Sequence, residues 1–240
     1  MAGHASPLYH LELIREKTRS SQESDILVAF ACHDVGKAVS RLGQCCPPLT
    51  EKEEAQDYLW MVWSVLTDIV KSPDVTSDMH EYFVYILQSL KQIEKGELPV
   101  YTGHQRRVWR DLPLLLECAE ASSNNPMAEV AEFTPETAQI WYNLNSPAAR
   151  TMAANVLGSY DQVIFALKEA LETKLNTDPQ HLAKAECRIW VACEWIAHGS
   201  KTLLLSAQEN IGIVDVPEDG TQYFSAGPLY EGPPAVCPHW

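Results

Sequence analysis

Residues 58–66 read YLWMVWSVL, and this stretch decides the fold class. It is apolar on every side at helical spacing, and it follows Thr50 and Glu53, which have the separation of a capping box. A helix from there to about Lys71 is expected, and a helix with no polar face must be enclosed by neighbours all round. Nine residues are half of what a membrane span needs. The stretch therefore predicts the centre of a protein core.

Helical punctuation recurs outward from that centre. Ser20 and Glu23 have capping-box spacing before a helix over about Asp25–Leu42, with Leu27, Phe30, Ala31, Ala38 and Leu42 on one side and Gly43 as its stop. Pro47-Pro48 then breaks the chain. Ser77 is placed to cap a helix running to Gly96, whose buried stripe is Met79, Phe83, Ile86, Leu90 and Ile93, with His80, Gln88 and Gln92 facing away. Asp111 is placed to cap a short helix carrying Pro113 in its first turn.

Beyond the Ser122–Pro126 loop, Thr134-Pro135-Glu136-Thr137 is a strong helix start, and Pro147 should kink or split the helix that follows. Asp161–Leu175 reads as an amphipathic helix with Ile164, Leu167 and Leu171 inward. Asp178-Pro179 opens the longest helix, to about Glu209, with Leu182, Ile189, Cys193 and Ile196 as its stripe. From residue 210 Gly and Pro return. No period-two alternation of useful length appears, so no sheet is expected. The prediction is all-α: a single-domain bundle of about eight helices over 1–240, with a 1–24 N-terminal extension containing a short helix and an irregular 210–240 tail packed on the bundle.

Composition limits the partners. Of 240 residues 46% are hydrophobic and seven are Trp, enough for a large core. The formal net charge is −14, from 32 acidic against 18 basic residues, and the one tight basic cluster is Arg106, Arg107 and Arg110. Phosphate backbones and anionic membranes reward clustered cations, so neither nucleic acid nor membrane is expected as a partner. Seven scattered Cys without a CxxC pair indicate a reducing compartment, and residues 1–17 lack the apolar stretch of a signal peptide. A cytoplasmic protein is the expectation.

Two internal stretches and the tail carry a resemblance. VWRDLPLL (108–115), IWYNLNSPAARTMA (140–153) and GPLYEG (227–232) together resemble a family of fungal proteins that share a domain of unknown function, number 3632. The resemblance implies an all-helical protein of a filamentous fungus, with no activity and no catalytic residue to carry across.

Ionisable groups on apolar stripes are the candidates for chemistry, since a buried charge needs compensation. Asp34 shares the face of Leu27, Phe30 and Ala38. Glu186 lies within the stripe of the longest helix. Arg150, among Ala residues, is suited to holding a carboxylate of the protein or of a substrate. His198 stands one helical turn after Glu194, which can orient its imidazole. Asp34, Arg150, Glu186 and His198 are thus the catalytic candidates. Trp63, Trp141, Trp190 and Tyr230 are candidates for lining an apolar, ligand-sized cavity.

GxGxxG, P-loop, HExxH, GxSxG and DDxxD patterns are all missing. No cofactor and no metal are expected. The sequence favours, by a narrow margin, a small-molecule enzyme of fungal specialised metabolism, of cyclase or isomerase type, with a hydrophobic substrate. The alternative is a non-catalytic helical interaction or scaffolding protein, and homodimerisation is compatible with either.

Overall fold

The computed structural model describes residues 21–31, 33–99, 105–123, 125–127, 133–157, 160–174 and 177–208. Eight helices and a two-stranded hairpin occur among them: α1 (Ser21–Ala31), α2 (Val35–Cys45), α3 (Lys52–Val70), α4 (Ser77–Leu90), β1 (Glu97–Pro99), β2 (Gln105–Arg107), α5 (Leu115–Ala121), α6 (Pro135–Ala153), α7 (Tyr160–Glu172) and α8 (Pro179–Gln208). The fold is all-α. The residues form two compact units, one of residues 1–125 with 139–147, the other of 126–138 with 148–240. Residues 1–20 and the 210–240 tail, including Tyr230, lie outside the described residues.

In the N-terminal unit α3 is the core helix that its sequence requires. Tyr58, Leu59, Val62, Trp63 and Leu66 are buried. The Trp63 indole donates to the Pro113 carbonyl at 2.7 Å and meets Trp109 edge-on, with ring centroids 5.9 Å apart. This contact holds a backbone that would otherwise be unfavourable: Trp109, Leu112 and Leu114 all have positive φ, at 70°, 45° and 68°. Val108, Trp109, Leu112, Leu114 and Leu115 are all buried, and that burial offsets the strain of the turn.

Several local expectations are corrected. The helix expected over Asp25–Leu42 is two helices, because Asp34 acts as an N-cap: it has extended φ and ψ, and its carboxylate accepts from the Lys37 N–H at 3.0 Å. Capping chemistry outweighs the apolar periodicity there. Gly43 does not stop α2, which continues to Cys45. Lys95 instead donates to the Gly43 and Cys46 carbonyls at 3.0 and 2.9 Å, neutralising the helix end. The α3 and α4 N-caps are Glu51 and Thr76, neither with a side-chain cap bond.

Asp111 caps no helix. Its carboxylate accepts from the Arg107 N–H at 2.8 Å and closes the turn between β2 and α5. The antiparallel β1–β2 pair, with Glu97 opposite Arg107 and Leu98 opposite Arg106, escapes the sequence reading because three residues are too few to show period two. Helix α6 runs unbroken through Pro147. Thr134 and Thr137 form its capping box.

His80, expected to face solvent, is 2% exposed. Its Nε2 lies 3.0 Å from the Val70 carbonyl and its Nδ1 3.1 Å from the Ser146 hydroxyl. A carbonyl only accepts, so Nε2 carries the proton and Nδ1 receives the Ser146 O–H. Replacing His80 with Leu strands both partners. H80L should lower the unfolding free energy by about 1–3 kcal/mol in urea denaturation. A loss below about 0.5 kcal/mol would contradict the pairing.

Candidate functional site

The polar cluster of the C-terminal unit is built on α6 and α8. Helix α8 starts at Pro179 behind the Asp178 carboxylate, which accepts from the Gln180 and His181 N–H groups. Its buried face is Cys187, Val191, Ala192, Trp195 and Gly199, with Lys184 at 9% exposure. The end of the Met152 side chain of α6 occupies the space that a Cβ at Gly199 would need.

Arg150 of α6 stands beside Glu194 of α8. Arg150 Nη2 is 3.6 Å from Glu194 Oε1, and His198 Nε2 is 3.2 Å from the same oxygen. The side chains of Arg150 and Glu194 are 13% and 12% exposed, and that of His198 29%. A carboxylate so far out of water needs positive or donor partners. The acceptor oxygen also selects the Nε2–H form of neutral His198, which leaves the Nδ1 lone pair to take a proton. Chemically, the trio is an oriented imidazole on an anchored carboxylate.

One family model matches residues 63–236, and its description is a protein of unknown function, DUF3632. The chain belongs to this family. No curated protein and no solved structure matches it. Two of the stretches that carried the resemblance have structural roles in this DUF3632 chain. VWRDLPLL forms the buried positive-φ turn against Trp63, and IWYNLNSPAAR supplies α6 with Asn143, Ser146 and Arg150. GPLYEG lies outside the described residues, within the span matched by the family model.

The remaining candidates are dispersed. Asp34 is a half-exposed cap of the N-terminal unit, its carboxyl held below the usual range chiefly by the Lys37 N–H. Glu186 is exposed, and its carboxylate accepts from the Trp190 indole at 3.4 Å. Arg150 pairs with Glu194, four residues from each of Trp190 and His198 along the chain, where the sequence reading offered Glu186. Trp63 is fully buried, Trp141 is half-buried, and Trp190 is 59% exposed.

The stripe assigned to α8 was out of phase: Leu182, Ile189, Cys193 and Ile196 are exposed. So are Ile164 and Leu171 of α7, where Val163 is the buried residue. Among the described residues no three His, Cys, Asp or Glu gather as metal ligands, and no helix is long and apolar enough to cross a membrane.

Two measurements check this geometry. Arg150→Met removes one partner of a carboxylate that is 12% exposed and also contacted by His198, and should cost about 1–3 kcal/mol, whereas Glu186→Gln should stay within about 0.5 kcal/mol. The R150M/E194Q double-mutant cycle should return a coupling of about 1 kcal/mol or more, and strict additivity would break the pair. Cys187 provides the second. Burial pushes its thiol up to about 11, with Arg188 opposing and Glu186 adding to the shift. At pH 8 its thiolate fraction is then about one-thousandth. Iodoacetamide should label exposed Cys193 well before Cys187 in peptide mass spectrometry.

Proposed function

We propose that this chain is a small-molecule enzyme that uses neither metal nor nucleotide, with His198 as its acid–base group. The observation that supports this is the shared oxygen of Glu194, within reach of both Arg150 and His198. Glu194 orients the imidazole and Arg150 holds Glu194, so both are positioning residues. An imidazole oriented in this way offers its other nitrogen for proton exchange with a substrate. Isomerisation and cyclisation are the reaction types that need proton transfer alone, and a tailoring step of fungal specialised metabolism is the setting we assign. Free Cys45, Cys46, Cys118, Cys187 and Cys193 suit a cytoplasmic location.

A second reading has its own observation. Phe165 and Leu171 on α7, with Ile189, Trp190, Ile196 and Leu204 on α8, are all more than two-fifths exposed. Apolar side chains in such numbers favour a non-catalytic interaction protein that docks a helical partner or a second copy of itself.

Incubation of the purified chain with a metabolite extract, followed by untargeted mass spectrometry, separates the two. We expect a small set of compounds to change with the wild type. His198→Asn should slow that change by about 100-fold or more while the melting temperature holds. Equal turnover by H198N, or no change with the wild type, would remove the enzyme reading. Co-purification of a protein partner lost on Trp190→Glu would then establish the second.

A further inference from the structure

Helix α8 buries one apolar face and turns a second one outward. Leu182, Ile189, Cys193 and Ile196 are exposed, and so are Trp190 and Leu204 beside them. Steps of seven, four and three residues keep the first four on one side of the helix. Glu186 and Ser200 continue the same spacing and are exposed too. Glu186 is the charged residue of this stripe, and its carboxylate accepts from the Trp190 indole at 3.4 Å. From Leu182 to Leu204 the stripe is about 33 Å long.

The stripe matches itself when reversed. Cys193 lies midway between Leu182 and Leu204, and midway between Trp190 and Ile196. It is also midway between Ile189 and Ala197, and between Glu186 and Ser200. A twofold interface uses the same patch on both copies, so the patch must complement its own reversal. Here large apolar side chains meet large apolar ones at the ends, and Glu186 meets a serine. Lys201, exposed and next to Ser200, falls alongside that Glu186. A parallel pair in register would instead set Glu186 against Glu186, a like-charge contact that opposes association.

We propose that two copies of this chain pair through α8, antiparallel, about a twofold axis at Cys193. Leu182 of each copy packs on the partner's Leu204, and Trp190 on the partner's Ile196. Glu186 gains the partner's Lys201. Two helices paired over about 33 Å bury on the order of 1,200 Å² in total, the lower limit of specific interfaces. The dimer is therefore reversible, with a Kd of roughly 1–50 μM. The inference rests on the same exposed apolar face as the interaction reading and commits it to one occupant. It does not depend on turnover, so a negative metabolite assay leaves it standing.

Sedimentation velocity of the full chain in reducing buffer, from about 1 to 300 μM, tests it. Monomer should give way to dimer across that range. Ile189→Glu and Ile196→Glu each put a carboxylate into the seam and should weaken dimerisation by about tenfold or more. Both positions are exposed in the single chain, so these variants should keep its fold. Val28→Glu, at an exposed valine of the N-terminal unit, should dimerise like the wild type. Under oxidised glutathione the dimer should form a Cys193–Cys193 link between copies, since packed helices bring facing Cα atoms within disulfide reach. In Leu182→Cys/Cys193→Ser/Leu204→Cys, cross-linked peptides should join position 182 of one copy to position 204 of the other. A chain still monomeric at about 300 μM would overturn the proposal. So would a dimer that resists both glutamate substitutions on α8, or one weakened equally by V28E. Links of 182 to 182 would mark a parallel pair and overturn the antiparallel one. Alkylation of Cys193 as slow as that of Cys187 in the monomer would put the chain's own 210–240 tail on the stripe, which also overturns it.

Discussion

Two polar pairs hold the middle of helix α6 in the N-terminal unit. Asn143 and Ser146 stand at i and i+3, on one face of the helix. Asn143 donates to the Ser72 carbonyl and Ser146 to buried His80. Together they fix this stretch in rotation and in axial position at once, because a one-residue slip would unpair both. Apolar packing alone tolerates such slips more readily. The pairs immediately precede Pro147, whose missing N–H leaves the Asn143 carbonyl without its usual helical donor. The helix continues through that gap with its side chains tied just before the proline.

What could be read from the chain beforehand follows the strength of each local signal. The all-α class was legible because YLWMVWSVL admits no other reading at that length, and the α6 start was legible because Thr134 and Thr137 carry their own hydrogen-bonding chemistry. The break at Asp34 was present in the sequence too, as a capping residue before Val35-Gly36-Lys37. It was hidden by an apolar spacing that continues across the break by coincidence. The hairpin was not legible at all. Pairing is a property of two distant segments, and each is only three residues long.

Helix α8 shows where periodicity stops being informative. It is apolar on two faces, and counting large aliphatic residues selects Leu182, Ile189 and Ile196. The protein buries the other face, where Trp195 sits among Cys187, Val191, Ala192 and Gly199. Small residues beside one large ring allow backbones to approach, and close packing returns more dispersion energy than scattered large side chains do. The phase of α8 also decides the candidate site. With Trp195 inward, Glu194 and His198 flank the buried face beside Arg150, and Glu186 is carried out to solvent. The Glu194–His198 spacing was visible in the chain, but the identity of Arg150's partner depended on that phase.

The same rotation explains the charge distribution along α8. Bringing the Cys187–Trp195 face inward also draws Lys184 out of water and leaves Arg188 half-buried, while the apolar Leu182 and Ile189 are turned outward. The packing of Trp195 sets this phase, so the surroundings of the cations in the first turns follow from the core further along the helix.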